Sequence, residues 1–383
     1  MRHIYLDYNA TTPIHPAVAD AMQPYLRDHF GNPSSSHWFG LQARKAVDHA
    51  RTQVASLLKC FPDEIIFTSG GSESDNFAIA GYALKHRSRG NHIIASQVEH
   101  PAVLEICRVL EAQGFDVTYL PVDETGRVSL EELRRSLHST TILISIMQAN
   151  NEVGTIQPVA EIAALAHERN IVVHTDSAQA VGKIPVDGHS LGADMITLAG
   201  HKLYAPKGIG ALYVRRGIEL QRLIVGAGHE QGRRAGTENV LGIVGLGAAC
   251  EVVAHEMAGR VPEMRRLRDQ LQSALLERLP QIRINGHAKE RLPNTLSVSF
   301  PGIEANRLIA ELEEVACSPG AACHSDKVSV SHVLEAMNVP VDYAMGTIRF
   351  SLGYGTNEAD IREASEAIVA ALARLRVAEV NGS

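Results

Sequence analysis

The chain has 383 residues, of which 45% are hydrophobic and 21% charged, and its formal net charge is −7 at pH 7. This composition fits a globular chain with one large domain and a smaller one. It argues against a broad surface for nucleic acid or acidic membrane, so no direct nucleic-acid binding is expected.

Met1 runs straight into a strand-like Ile4-Tyr5-Leu6, without the cationic region and long apolar stretch of a secretory leader. Apolar runs such as Ile142 to Met147 are too short to span a bilayer, and no membrane segment is expected. Five cysteines (Cys60, Cys107, Cys250, Cys317, Cys323) are scattered without a pairing framework, which points to a reducing, cytoplasmic compartment. From about residue 50 to 215, helix-like and strand-like segments alternate. A helix is predicted over Ala46 to Leu58, a strand at Glu64 to Phe67, a helix over Phe77 to Leu84 and a strand at His92 to Ala95. Pro101 to Gln113 reads as a helix closed by Gly114. Further strands are predicted at Val117 to Leu120, Ile142 to Met147, Ile171 to Thr175, Met195 to Leu198 and Gly210 to Val214. Such alternation implies crossover units and an α/β fold with a mainly parallel sheet flanked by helices. Ligands in such sheets gather at the carboxyl ends of the strands.

The pattern changes after about residue 260. A charged helix (Glu263 to Leu279), strands at Ile282 to Ile284 and Thr295 to Phe300, and a helix from Glu304 to Val315 precede a Gly/Ser/Cys-rich loop. A second helix, a strand at Thr347 to Leu352 and a long helix from Asn357 complete the chain. We expect a large domain over residues 13–259 and a smaller α+β domain from 1–12 and 260–383.

Three strand-end segments carry candidate chemistry. In Phe67 to Asn76, glycines allow a tight turn into a helix whose free N–H groups suit a phosphate; it can equally be an ordinary helix start, with Ser72 as cap or phosphate ligand. In His174 to Gln179, Asp176 either caps the next helix or pairs with a protonated ring nitrogen, and Gln179 is within reach of a ring hydroxyl. In Leu198 to Gly210, two lysines sit in a glycine-flanked loop. Lys202 rather than Lys207 is the candidate to condense with a carbonyl, once its surroundings deprotonate it.

Ordered motifs along almost the whole chain resemble one family. They are Leu6-Asp7-Tyr8-Asn9-Ala10-Thr11-Thr12-Pro13, Gly31-Asn32-Pro33-Ser34, Thr68-Ser69-Gly70, Glu99-His100 and Asn150-Asn151-Glu152-Val153-Gly154. The Asp176/Gln179 pair, Gly200-His201-Lys202, Arg234 to Asn239 and Arg349-Phe350-Ser351 complete the set. The chain resembles the NifS/IscS-like cysteine desulfurases, fold-type-I pyridoxal 5'-phosphate enzymes. The resemblance implies that Lys202 bonds the cofactor, Asp176 binds its pyridinium nitrogen, and Gln179 and Asn151 lie near the ring hydroxyl or substrate. It places His100 on the ring face; an N-cap role before Pro101 is compatible with that. Ser72 and His201 would hold phosphate, joined by Thr237 of the neighbour in a homodimer. Arg349 would take the substrate carboxylate, with Asn32 nearby; the alternative for Arg349 is a strand-end surface charge. No metal is implied. Ala199 departs from the family, which often has a phosphate-binding serine there, and Tyr354 stands where many relatives have arginine.

The loop Ala316 to Asp326 decides the reaction. Cys60, Cys107 and Cys250 sit in apolar helical contexts that suit buried small hydrophobes. Cys317 directly follows a helical pattern, whereas Cys323 lies among Gly, Ala and Ser with polar residues after it. Cys323 is therefore the expected nucleophile, and the family counterpart in a Ser-x-Gly-x-Ala-Cys pattern forms a persulfide. The resemblance implies conversion of L-cysteine to L-alanine and sulfur delivery to an acceptor protein, in iron–sulfur assembly, tRNA thiolation or DNA phosphorothioation. His324-Ser325-Asp326 is closer to selenocysteine lyases, so selenocysteine is the alternative substrate. An aminotransferase or β-lyase would not need the Cys323 loop, and a non-catalytic scaffold would not need Lys202, Asp176, His100 and Cys323 together.

Overall fold

The computed structural model describes residues 3–324 and 327–381, with backbone alone for 321–324, 327–329 and 378–381. Among these residues, seven strands make the central sheet: β1 (Ile65–Thr68), β2 (His92–Ser96), β3 (Asp116–Leu120), β4 (Thr141–Ser145), β5 (Val172–Asp176), β6 (Met195–Ala199) and β7 (Gly210–Val214). Their order is β1-β7-β6-β5-β4-β2-β3, and every pairing is parallel except the two made by β7. Helices cover both faces, so all but β3 are buried along their whole length, and most of them carry a short apolar run. The mainly parallel α/β sheet is as the sequence predicts.

Two helices begin earlier than predicted. One spans Trp38–Leu58, with His37 Nδ1 accepting from the Gly40 amide. The other spans Gly71–Lys85, so its first turn lies directly against the end of β6. That approach depends on Gly210. A Cβ there would stand 2.8 Å from the Gly70 backbone and 2.6 Å from the Leu198 carbonyl, closer than a side chain can sit.

A four-stranded antiparallel sheet, ordered β10-β13-β9-β8, is built from β8 (Arg283–Asn285), β9 (Thr295–Ser299), β10 (Ser318–Pro319) and β13 (Thr347–Ser351). Its core includes Leu296, Phe300, Ile348, Phe350 and Ile368, and it takes in Ile4 and Leu6 from the start of the chain. Ile4–Tyr5 pairs in parallel with Val315–Ala316. The predicted helix Glu263 to Leu279 is the second half of one 39-residue helix, Val240–Arg278, which continues through Pro262. Its first half packs Ile243, Leu246 and Val253 into the large core, and its second half packs Leu267, Leu271 and Leu275 into the small one. This is the one helix among the described residues that is long and apolar enough to cross a membrane, and part of its apolar surface is taken up by these two cores.

The Gly/Ser/Cys-rich loop is more ordered in pattern than expected. Ala321–His324 (β11) and Lys327–Val330 (β12) form a hairpin that sets Cys323 opposite Val328, while Ser325 and Asp326 lie outside the described residues.

Candidate active site

Eight of the predicted site residues line one cavity of about 230 Å³: Ser72, His100, Asn151, Asp176, Gln179, His201, Lys202 and Arg349. His100, Asn151, Asp176, Gln179, His201 and Lys202 follow or end the parallel strands β2, β4, β5 and β6, as expected for such a sheet; Ser72 comes from the helix after β1, and Arg349 from the middle of β13 in the antiparallel sheet. Asn9, Asp75 and Ala199 are among its other lining residues.

Lys202 closes a short 3₁₀ turn (Gly200–Lys202) after β6, and its Nζ donates to the carbonyls of Asn9 at 2.6 Å and Ala10 at 2.7 Å. Burial, and then the nearby Arg349 cation, pull this amine from its ordinary 10.5 to about 8, against the pull of Asp176 and Asp7. A lysine so placed is in part a free amine at neutral pH. Lys207 lines an adjoining, more open cavity that shares Gly71, Ser72 and His201 with this one but does not include Asp176.

Asp176 ends β5. Its Oδ1 accepts from the Ala178 amide at 2.8 Å, so it caps a turn, and burial raises its pKa. A buried carboxylate in this condition gains from a cationic partner. Asp75 lies close by with Oδ1 lacking a hydrogen bond among the described residues, and burial raises it too. His174 faces this pair at 3.6 Å from Asp75, but burial drives it down to about 3, so it stays neutral and supplies no cation.

His100 is both N-cap and cavity wall: its Nδ1 accepts from the Ala102 amide at 3.1 Å. A backbone N–H can only donate, so the neutral ring carries its proton on Nε2. Burial lowers its pKa, Lys202 and His332 add to that, and Asp176 opposes it. Ser72 does not cap. Gly70 takes the N-cap position of Gly71–Lys85, which leaves Ser72 in the first turn, where amide groups face outward. His201, lowered to about 4 by burial and by Lys202, hydrogen-bonds Thr11 Oγ1 through Nδ1 at 3.2 Å.

Arg349 is buried, not a surface charge. Nη2 donates to Asp7 Oδ1 at 2.8 Å and Ser318 Oγ at 3.0 Å, Nη1 to the Asn151 carbonyl at 3.0 Å, and Nε is without a partner among the described residues. The base of the β11–β12 hairpin is fixed to the same region. Ser331 Oγ donates to Glu152 Oε2 at 2.6 Å, and His332 Nε2 donates to the carbonyl of Glu99, next to His100, at 2.9 Å.

Two predicted residues stay outside this cavity. Asn32 is exposed, and its Oδ1 is held by the Ser34 amide at 2.9 Å in a local turn. Thr237 is exposed and lines a different cavity with Ser69 and Arg234. The side chain of Cys323 lies outside the described residues. Its rival Cys317 is pushed up to about 12 by burial and then Asp7, so it is a poor thiolate at neutral pH. Burial likewise holds Cys60 and Cys107 at about 12.

Sequence reasoning missed Asn9, Asp75 and Lys183. Lys183, four residues after Gln179, is buried with its Nζ on Gln179 Oε1 at 2.6 Å and Asn9 Oδ1 at 3.1 Å. Tyr354, the other departure, stacks on Tyr204 at 4.4 Å between centroids, which gives that position a packing role.

The Aminotransferase class-V family model matches residues 4–363. The chain belongs to this family, among its cysteine desulfurases. It is 46% identical over 377 residues to cysteine desulfurase IscS of Dictyoglomus turgidum, covering 98% of this chain and 96% of that one. It is 48% identical over 378 residues to a cysteine desulfurase of Nostoc sp., covering 98% and 94%. A solved NifS-like protein superposes with a TM-score of 0.92 at 38% identity, covering 97% of this chain and 99% of that chain. These desulfurase relatives favour cysteine over selenocysteine as the substrate. The cysteine desulfurases are a pyridoxal-phosphate-dependent class, and the cavity suits that cofactor: a buried acid with no ion pair among the described residues, a lowered lysine amine and a helix N-terminus meet in one place.

Proposed function

We propose that the cavity holds pyridoxal 5'-phosphate on Lys202 and that the enzyme turns L-cysteine into L-alanine, leaving the sulfur on Cys323. The observation that carries this reading is that the lowered Lys202 amine, buried Asp176 and buried Arg349 line one cavity. Asp176 would bind the ring nitrogen, and Gln179 and Asn151 the ring hydroxyl or substrate. His100 would lie on the ring face, and Ser72 and His201 would hold the phosphate. Once bound, the cofactor supplies an electron sink for bonds at the substrate's carbon atoms.

The chain's own residues do the rest. Arg349 would turn its planar fork from Asp7 to the substrate carboxylate, a bidentate match. His100, with Nδ1 occupied by its cap bond, offers an Nε2–H donor in its neutral form, so the substrate amine is the better base for the Cys323 thiol. The Cys323 thiolate would attack the substrate sulfur; the C–S bond breaks with its electron pair left on the carbon side, which takes up a proton to become the methyl group of alanine, and Cys323 keeps the sulfur as a persulfide. An acceptor protein would then take it, for iron–sulfur clusters, tRNA thiolation or DNA phosphorothioation. Four free cysteines among the described residues support a reducing compartment, the cytoplasm.

The amine of Lys202 must be neutral to bond the cofactor. Its pKa is lowered, so the neutral form is already present well below pH 10.5. The rate at which cofactor-free protein takes up pyridoxal phosphate should rise with pH, reach half its maximum near 8 and level off about one unit above that. A rate still climbing steeply to pH 10 would contradict this environment for Lys202.

We also propose a homodimer in which Thr237 reaches the neighbour's phosphate; its position outside the Lys202 cavity of its own chain supports this. Thr237→Ala should weaken cofactor binding about tenfold, the worth of one hydrogen bond to a charged group. Sedimentation should show a dimer; a fully active monomer would refute the shared site.

A further inference from the structure

Lys183 is a buried cation-forming side chain that no step of the proposed reaction uses, yet it is bonded directly to Gln179. Its Nζ donates to Gln179 Oε1 at 2.6 Å and to Asn9 Oδ1 at 3.1 Å. Gln179 Nε2 in turn donates to the Asn9 carbonyl at 2.9 Å, the same oxygen that receives Lys202 Nζ at 2.6 Å. All three of Lys183, Gln179 and Asn9 are buried.

We propose that Lys183 is a positioning residue for the Lys202 site, fixing through Gln179 and Asn9 which amide atoms face the cofactor. The inference rests on the reading of the cavity as a pyridoxal-phosphate site. An N–H of an amine pairs only with the oxygen of a glutamine amide, and a backbone carbonyl only with its nitrogen. Lys183 and the Asn9 carbonyl therefore lock the Gln179 amide in one sense. One N–H goes to Asn9, and the other is the group that Gln179 offers to the cavity it lines. Lys183 has two acceptors for its nitrogen, which matches the two N–H bonds of a neutral amine, and burial, with Lys202 and then Arg349 nearby, favours that neutral form. Lys183 thus holds the site without adding a charge to it. The second contact pins Asn9, which is also held by Asn294 Nδ2 at 3.0 Å and whose own Nδ2 donates to Thr295 Oγ1 at 2.8 Å, so the residue whose carbonyl lies under Lys202 is tied to the start of β9.

An N–H aimed at the ring's phenolic oxygen stabilises that oxygen's anion, so losing it makes the neighbouring nitrogen keep its proton to higher pH. The resting holoenzyme's visible absorbance, titrated without substrate, reads this directly. Around the Lys202 nitrogen the other groups that set its titration are Arg349, Asp176 and Asp7, and all are unchanged in the variants. Lys183→Met should move the midpoint up by about one pH unit, and Gln179→Ala by a similar amount. The double variant should match Gln179→Ala alone, because Lys183 acts through Gln179. Lys183→Gln, which keeps volume and an N–H donor, should show a smaller shift in the same direction and serves if the methionine variant does not fold. An unmoved midpoint in both Lys183 variants, or a double variant whose shift is the sum of the two, would overturn the proposal. A wild-type protein with no visible cofactor absorbance would instead refute the cofactor reading.

Discussion

Replacing Lys202 by alanine is expected to abolish the visible cofactor absorbance and to reduce alanine formation by more than about 10⁴-fold, as for removal of a covalent catalyst. The geometry makes the loss specific. Lys183 does not line the cavity and has its Nζ turned to Gln179 and Asn9, and Lys207 lines the adjoining cavity, which does not include Asp176. Neither can take the place of an amine lowered to about 8 and lying near Asp176. Lys207→Ala should leave absorbance and turnover near wild type. The reverse outcome, with Lys207→Ala inactive and Lys202→Ala active, would show the wrong lysine to have been chosen.

Cys323→Ser should keep the cofactor and bind L-cysteine with the spectral change of substrate binding, yet make alanine and sulfide more than about 10³-fold more slowly. A thiol begins near pKa ~8.5 and ionises with modest help, whereas a serine hydroxyl stays protonated near pH 7 and attacks sulfur poorly. The fold offers no ready substitute. Cys317 is the nearest cysteine in sequence, and burial and Asp7 hold its thiol at about 12. Cys107 and Cys250 are fully buried in helices whose cores pack on the central sheet.

Most of the fold was legible because the strands of the central sheet are buried on both faces and so appear as short apolar runs between turn residues. Helix starts were less so. The first turn of Gly71–Lys85 is Gly-Ser-Glu-Ser, polar and open to the cavity, and only its apolar part from Phe77 carries a helical period. Only the second half of the helix Val240–Arg278 was read, from Glu263, because a proline at 262 and a switch from an apolar to a charged surface coincide. The hairpin at Cys323 read as a loop since Ala321 to Cys323 has little strand character. Its partner Lys327 to Val330 alternates in the manner of a strand, and that signal was available.

The site divides the same way. Lys202, Asp176, Gln179 and His100 stand at strand ends, where the sequence alone marks them. Asn9 and Lys183 act through bonds that span 170 residues or more, such as Gln179 to Asn9 and Lys183 to Asn9, and no local pattern announces those. Arg349 looked like either a strand-end charge or a carboxylate ligand until its burial between Asp7, Ser318 and Asn151 was seen.

The central claim is that sulfur leaves the substrate onto Cys323. The direct measurement is mass-spectrometric mapping of the persulfide trapped on wild-type protein after brief exposure to L-cysteine. The account predicts one extra sulfur on the peptide that contains Cys323 and none on the Cys317 side chain, with the label absent from Cys323→Ser. A persulfide on Cys317, together with a fully active Cys323→Ser variant, would contradict it.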